Sequence, residues 1–175
     1  MKILIMCEGS NELQIINILL DAGKLCFTKD DLLDLRPFQA RQLTSSHIKP
    51  ALDAYHGELV IYRIGDKLTD NLKIPKEYSN IVNIQKFCTL PELEMLLIIA
   101  EGLFNEYQKV KSTQSPKKFC KNNIVFNRQR YDNSSAFYEK YFSERIDLLV
   151  DAIKQYCHLH HTHNREEGYL SDLLQ

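Results

Sequence analysis

Acidic side chains follow three apolar segments of this 175-residue chain. Each acid comes where an apolar segment ends and a turn or a helix begins. The candidate residues are Glu8, Glu12, Asp66, Asp70 and Glu92, with Glu94 as an alternative to Glu92. Hard divalent cations such as Mg²⁺ or Mn²⁺ bind a few carboxylate oxygens together with water and phosphate. We therefore expect these residues to form a metal site.

Each of these acids also has a structural explanation. Glu12 lies in the first turn of a predicted helix, where a carboxylate complements the helix dipole. Glu92 follows Thr89 with the spacing of a capping box, and Asp66 could cap the turn after Gly65. Asp70 could simply be solvated. The sequence leaves both explanations open for each residue.

The first acid comes directly after a strand-like segment. Residues 3–6 are apolar without alternation, which is typical of a strand buried on both faces of a parallel sheet. Gly9 permits a tight or positive-φ turn, and Ser10 is a favourable N-cap for a helix over residues 10–20. Ligands of open α/β sheets bind at the carboxyl ends of strands, which is where Glu8 comes.

Strands and helices are predicted to alternate through the first two thirds of the chain. After the first helix we expect an edge element at 32–35, a helix at 47–55, strands at 58–64 and 81–87, and helices at 93–107 and 135–156. This order predicts an α/β fold with a parallel or mostly parallel sheet flanked by helices. We expect a single domain with an α/β core (1–105), a basic connector (106–134) and a C-terminal helix and tail (135–175).

The predicted connector is strongly basic. Between Tyr107 and Tyr131 there is no Asp or Glu, although the formal net charge of the chain is only -1. The basic residues are Lys109, Lys111, Lys117, Lys118, Lys121, Arg128 and Arg130. They could hold a phosphate backbone while Phe119, Phe126 and Tyr131 stack on bases. The alternative is a solvated loop.

Three short motifs resemble the Toprim family of topoisomerases, primases and nucleases. The segment Cys7-Glu8-Gly9-Ser10-Asn11-Glu12 matches its opening strand-Glu-Gly-helix motif. In the second motif, Asp-x-Asp, only Asp66 fits, because Leu68 replaces the second Asp and Asp70 comes two positions later. The segment 90–96 is similar to the Pro-x-x-Glu helix start of small Toprim-like proteins associated with phage defence and restriction.

The resemblance covers residues 1–105 and implies phosphodiester chemistry. It implies that Glu8 is a general acid or base, and that Asp66, with Asp70 or Glu92, holds Mg²⁺ against a phosphate. Nucleic acid or a nucleotide phosphate would be the partner. A non-catalytic binding or regulatory module is the alternative, because the Asp-x-Asp motif is incomplete.

Other features limit the class of protein. No apolar run approaches the roughly 20 residues that a membrane-spanning helix needs, so we expect a cytoplasmic protein. The five isolated cysteines argue against a disulfide scaffold or a zinc knot. Walker and Gly-x-Gly-x-x-Gly motifs are absent, which argues against P-loop hydrolysis and dinucleotide binding.

The end of the chain has two further features. A His-rich segment at 158–163 could bind zinc or nickel, or its imidazoles could face the negative end of a helix dipole. The apolar segment 169–174 could dock back on the domain or on a partner. For the chain as a whole, a homo-oligomer or a protein partner is possible. The sequence leaves these alternatives open.

Overall fold

Strands and helices alternate along the chain, of which the computed structural model describes residues 1–66, 72–89, 93–159 and 168–175. The strands are β1 (Lys2–Cys7), β2 (Phe38–Gln39), β3 (Leu59–Gly65), β4 (Val82–Cys88), β5 (Val125–Phe126), β6 (Gln129–Arg130) and β7 (Gly168–Tyr169). The α-helices are α1 (Ser10–Asp21), α2 (Lys49–Ala54), α3 (Glu94–Ala100), α4 (Phe104–Val110), α5 (Pro116–Asn123), α6 (Ser135–Phe142) and α7 (Ile146–Leu159).

Five of these strands form a parallel sheet in the order β2-β1-β3-β4-β7. Parallel neighbours need crossover connections, and helices flank the sheet. The strands β5 and β6 form a separate antiparallel hairpin. The predicted α/β fold with a parallel sheet is therefore confirmed.

The apolar sequence of β1 is explained by burial on both faces of the sheet. Ile5 and Cys7 belong to a large core that includes the apolar faces of α1, α3, α6 and α7. Leu4 and Met6 belong to a smaller core on the other face, which includes α2 residues. Because successive strand residues point to opposite faces, a strand between two cores shows no polar alternation.

The segment that was predicted to be a connector contains α4, α5 and the β5–β6 hairpin. Phe119 and Tyr131 from this segment are buried in the large core. The prediction that these two rings stack on bases was therefore wrong. Phe126 is half-buried, and the guanidinium of Arg145 lies 5.3 Å from the centre of its ring.

Of the predicted edge element at 32–35, only Leu32 pairs with the sheet, through an isolated parallel bridge to Ile3. Residues Leu33–Leu35 form a 3₁₀ helix, and the edge strand β2 begins after Pro37. Asp34 and Leu35 adopt positive φ values of 58° and 57°, which extended backbone does not allow. The strand was therefore predicted several residues too early.

Two predicted helices are each divided in two. Gly102, with a φ of +70°, separates α3 from α4, since glycine adopts this conformation without steric cost. The break between α6 and α7 follows Ser143, whose hydroxyl donates to the carbonyl of Glu139 at 2.6 Å. The same carbonyl also accepts from the Ser143 main-chain N–H at 3.0 Å, so the hydroxyl adds a second local hydrogen bond at the end of α6.

The start of α1 also differs from the prediction. Gly9 is the N-cap and Ser10 is the first helical residue, without a side-chain cap. The φ of Gly9 is -122°, so glycine is not needed there for a positive-φ turn. A Cβ at this position would instead come within 2.5 Å of Glu12 Oε2.

The end of the chain docks on the domain itself. Strand β7 pairs with β4, and the following 3₁₀ helix, Leu170–Leu173, buries both of its leucines. The main-chain N–H of Cys26 donates to the carbonyl of Leu173 at 2.9 Å. Of the open alternatives for this segment, the structure therefore supports docking on the domain.

No helix in the described ranges is both long and apolar enough to cross a bilayer.

Replacing Leu173 with Ala tests whether this terminal segment contributes to the fold. Its side chain is 2% exposed, so we expect the free energy of unfolding to fall by about 2–5 kcal/mol in urea titrations. Leu159→Ala, at a position that is 46% exposed, is the control and should change stability by less than about 0.5 kcal/mol. If both variants changed the free energy of unfolding by the same small amount, the observed packing of Leu173 would be contradicted.

Candidate functional site

The carboxyl ends of β1, β3 and β4 meet at one edge of the sheet. Cys7 lies opposite Ile64, and Gly65 lies opposite Cys88. Hydrogen bonds extend both pairings by one residue, from Glu8 N to Ile64 O (2.9 Å) and from Thr89 N to Gly65 O (3.0 Å). Glu8, Asp66 and Thr89 therefore leave the sheet side by side, as predicted for residues at parallel strand ends.

The side chain of Glu8 lies against Gly65. It is only 13% exposed, and its Oε1 is 3.3 Å from Nη2 of Arg41. A Cβ on Gly65 would come within 2.7 Å of Glu8 Oε2 and 2.8 Å of Glu8 Cβ. Glycine at position 65 therefore makes room for the Glu8 side chain.

Glu12 and Asp66 line a polar cleft with a volume of about 240 Å³. The remaining lining residues are Asn11, Thr89, Leu93, Glu94, Lys117 and Asn133. The side-chain oxygen of Asn11 is buried and lacks a hydrogen-bond partner among the residues that the structure describes. Three carboxylates and this acceptor make the cleft rich in oxygen ligands.

The pKa of the Glu12 carboxyl is raised above its ordinary value. Burial is the largest cause, and the negative charges of Asp66 and Glu8 raise the pKa further. The backbone N–H groups of Glu12 and Gly9 partly oppose this shift. Glu12 therefore lies in the electrostatic field of both other acids.

Glu94 lies at the base of the cleft in a buried hydrogen-bond network. It is 5% exposed, and its Oε1 accepts from the Tyr131 hydroxyl at 2.7 Å. Asn133 Nδ2 donates to Glu94 Oε1 at 3.0 Å, while Asn133 Oδ1 accepts from Lys117 Nζ at 2.8 Å. In the opposite orientation of the Asn133 amide, its Oδ1 would face Glu94 Oε1, so two acceptors would oppose each other. The network thus links Lys117 to a buried carboxylate.

The structure does not place all predicted acids in one cluster. Glu8 lines a different pocket from Asp66, although both charges act on Glu12. Asp70 and Glu92 lie outside the described residues. Within the described part of the chain, no three His, Cys, Asp or Glu side chains are arranged so that they could hold one metal ion. Of the acids predicted as ligands, Glu12 and Asp66 are the two described residues that line the same cleft.

The predicted basic residues occupy different environments. Lys117 lines the cleft, whereas Arg130 donates to the carbonyls of Lys121 and Asn122 at 3.1 and 3.2 Å. Those carbonyls lie in the last turn of α5, so Arg130 stabilises a helix end. The other predicted basic residues are exposed: Lys109, Lys111, Lys118, Lys121 and Arg128.

Two other sequence features contribute no described site. His158 is exposed near the end of α7, and residues 160–163 of the His-rich segment lie outside the described residues. Cys7 is fully buried, and burial raises the pKa of its thiol well above the ordinary value. A thiol in this state is a poor nucleophile.

Several cleft residues were missed by sequence reasoning. Asn11 was part of a recognised motif but was given no role, and Tyr131 was assigned to base stacking. Asn133 belongs to no motif, and it reaches the cleft only because α1 packs beside α6. Among the residues of the buried network, only Glu94 was a candidate from the sequence, as the alternative to Glu92.

Comparison of the chain with protein-family models, with curated proteins and with solved structures found no match. The fold and the cleft thus define an α/β protein with a carboxylate-lined cleft at the carboxyl edge of its sheet.

Gly65→Ala tests the fit between Gly65 and Glu8. Because the new Cβ meets the rigid base of the Glu8 side chain, we expect a loss of about 1–3 kcal/mol in the free energy of unfolding. Gly9→Ala is the comparison, because its Cβ meets only the movable carboxylate of Glu12 and should cost less than about 1 kcal/mol. A larger loss for Gly9→Ala would contradict this geometry.

Glu12→Gln tests the raised pKa. A carboxyl whose pKa rises on folding binds its proton more tightly when folded, so its contribution to stability falls as the pH rises from the ordinary value of 4.5 through the raised value. We therefore expect the variant to be more stable than the wild type at pH 7. The difference should vanish below about pH 4, where Glu12 is protonated in both states. Thermal unfolding of both proteins between pH 4 and pH 7 measures this difference in stability. A difference that does not change with pH would contradict the raised pKa of Glu12.

Proposed function

We propose that this chain is a Toprim-like protein that binds a nucleic-acid phosphate through Mg²⁺ or Mn²⁺ and hydrolyses a phosphodiester bond. The observation that supports the proposal is geometric: Glu12 and Asp66 line one oxygen-rich cleft at the carboxyl edge of the sheet. Burial raises the pKa of the Glu12 carboxyl, and the negative charges of Asp66 and Glu8 add to that effect. Carboxylates that repel one another lose that repulsion when a divalent cation lies between them. A divalent cation bound between Glu12 and Asp66 would therefore relieve their mutual repulsion.

The oxygen-rich cleft fits the coordination chemistry of Mg²⁺. This ion keeps several waters and commonly uses only one or two carboxylates together with substrate phosphates. Glu12 and Asp66 would provide those carboxylates, and the buried side-chain oxygen of Asn11, which has no hydrogen-bond partner among the described residues, lines the same cleft. The metal would neutralise charge that develops on the phosphate oxygens.

Residues of the chain would perform the remaining steps. Glu8 would take a proton from the attacking water as the water oxygen bonds to phosphorus. The bond from phosphorus to the leaving oxygen then breaks, and that oxygen takes a proton from solvent. Lys117, whose ammonium donates to Asn133 Oδ1, would contact the phosphate. The exposed lysines of α4 and α5 would lie along the nucleic-acid strand.

A non-catalytic phosphate-binding module is the second candidate. Two observations favour it: Glu8 is ion-paired with Arg41, and Leu68 stands where the Toprim motif has its second Asp. A carboxylate that remains paired would be a weaker proton acceptor. Such a module would bind nucleic acid without cleaving it.

The proposed location is the cytoplasm, where the five free cysteines would remain reduced.

Cleavage of labelled single- and double-stranded DNA and RNA, with Mg²⁺, Mn²⁺ or chelator, tests the proposal. We expect metal-dependent cleavage that falls by at least about 100-fold in Glu8→Gln, because the proton acceptor is lost. Asp66→Asn should require more metal for the same rate and should reduce the thermal stabilisation that Mg²⁺ gives the wild type.

The control for these variants is Glu144→Gln, which removes an exposed carboxylate between α6 and α7. It should keep wild-type cleavage and metal dependence. Binding without cleavage would support the module instead. Cleavage that persists in chelator, or that Glu8→Gln leaves intact, would contradict the proposed mechanism.

A further inference from the structure

A further pocket lies at the amino end of the sheet, and we refer to it as the tyrosine pocket. Its volume is about 400 Å³, within the range of small-molecule sites. Strands β3 and β4 begin beside it, where the main-chain N–H of Leu59 donates to the carbonyl of Ile81 at 2.8 Å. The lining residues are Leu52, Asp53, Tyr55, His56, Glu77, Tyr78 and Ile81.

The tyrosine pocket is separate from the acidic cleft. Strands β3 and β4 are each seven residues long. Because a strand rises about 3.3 Å per residue, the two ends of the sheet are about 20 Å apart. The described residues that line the pocket and those that line the cleft have no member in common. Ligands of the two sites would therefore not compete for space.

Two tyrosine rings of the pocket are held in place by their hydroxyl groups. The Tyr55 hydroxyl donates to the carbonyl of Glu58 at 3.1 Å. The Tyr78 hydroxyl donates to the carboxylate of Asp53. Gly57 leaves room for the first ring, because a Cβ there would come within 2.5 Å of the Tyr55 hydroxyl oxygen. Both hydroxyl hydrogens are used, so the rings offer a ligand aromatic surface rather than donors.

The carboxylates of the pocket favour a positively charged ligand. Hydrogen bonds from Tyr78 and Lys49 hold the pKa of the Asp53 carboxyl below its ordinary value, so it is charged at neutral pH. Lys49 Nζ lies 3.1 Å from Asp53 Oδ2 and balances that charge. Glu77 is exposed, and its side chain makes no hydrogen bond or ion pair with another described residue, although its charge acts on Lys49 and Tyr78. The negative charge of Glu77 therefore remains at the rim of the pocket.

The same side chains disfavour an anion. Apart from the His56 imidazole, the polar side chains that line the pocket are acceptors or have already donated their hydrogen. A phosphate here would meet two carboxylates and a single ring N–H. The pocket is therefore not a second site for the nucleic-acid phosphate proposed at the cleft.

We propose that the tyrosine pocket binds a small organic cation whose charge lies on a compact apolar group, as in a quaternary ammonium. Aromatic rings attract such cations through the negative charge of their faces, here those of Tyr55 and Tyr78. Glu77 supplies a full negative charge, while Leu52 and Ile81 contact the apolar substituents. This site goes beyond the proposed function, because neither the metal nor the nucleic acid is needed for it.

Nuclear magnetic resonance titration of the isotope-labelled full chain tests this assignment. The probes are choline, a quaternary ammonium, and dimethylbutanol, its neutral isostere in which carbon replaces the ammonium nitrogen. Choline should bind at least about fivefold more tightly than the alcohol. The amide signals that shift should lie within residues 49–58 and 75–82, around the pocket. Equal affinities, or shifts centred elsewhere, would overturn the proposal.

Two variants locate the binding within the pocket. Glu77→Gln removes the exposed charge and should weaken choline binding about fivefold while leaving the alcohol unaffected. Tyr55→Leu removes one ring and should weaken choline binding about threefold. Tyr78 is left intact, because it is only 7% exposed and packs in the smaller core. The matched control is Glu106→Gln, which removes an exposed carboxylate of α4 and should keep wild-type affinity. Wild-type affinity in Glu77→Gln would contradict the assignment.

Two further probes exclude other classes of ligand. Inorganic phosphate should not displace choline, and displacement would overturn the inferred charge of the ligand. Acetyl-lysine methylamide, with a free side-chain ammonium, represents a lysine within a peptide. It should bind no more tightly than choline. Tighter binding would assign the pocket to a side chain of a protein partner and overturn the small-molecule assignment.

The tyrosine pocket and the acidic cleft fail or stand separately. Glu77→Gln should retain any metal-dependent cleavage at the wild-type rate, because the two sites are about 20 Å apart. If choline binds as expected and the chain never cleaves nucleic acid, the pocket stands and hydrolysis is refuted. If the chain cleaves and choline does not bind, hydrolysis stands and the pocket is refuted.

Discussion

The parallel pairing of β1 with β3 sets Cys7 opposite Ile64, and this register determines where Glu8 and Asp66 leave the sheet. A shift by one residue would turn each side chain to the opposite face. The register is held by burial, because Leu4 and Ile5 fill cores on opposite sides of the sheet. The position of the acids is thus a consequence of apolar packing several residues earlier.

Charge is then divided between the two sides of that edge. On the α1 side, burial raises the pKa of the Glu12 carboxyl, and the negative charges of Asp66 and Glu8 raise it further. On the α2 side, Arg63 and Lys86 lie on adjacent strands beneath Glu8.

Sequence reasoning identified the parts of this arrangement that depend on local chemistry. The strand ends and Glu8-Gly9 were predictable because buried strands and turns have short-range signatures. The wall of the cleft could not be predicted from the sequence, because Asn133 is 122 residues from Asn11 along the chain. Only the packing of α6 against α1 brings the two residues together. Cross-strand neighbours such as Arg63 and Lys86 were missed for a similar reason, since their proximity depends on register. The edge strand was predicted too early because Asp34 and Leu35 both adopt positive φ values. Neither residue is a glycine, so the sequence gives no sign of this turn.

The hydrogen bond between Tyr131 and Glu94 has an optical consequence. The chain contains nine tyrosines and no tryptophan, so its intrinsic near-ultraviolet emission comes from tyrosine alone. A phenol that donates to a carboxylate at 2.7 Å is expected to emit weakly, because its excited state readily gives up the proton. Any ligand that draws Glu94 toward the cleft would lengthen that bond and brighten Tyr131. Tyrosine emission would therefore respond to any change in the Tyr131–Glu94 hydrogen bond.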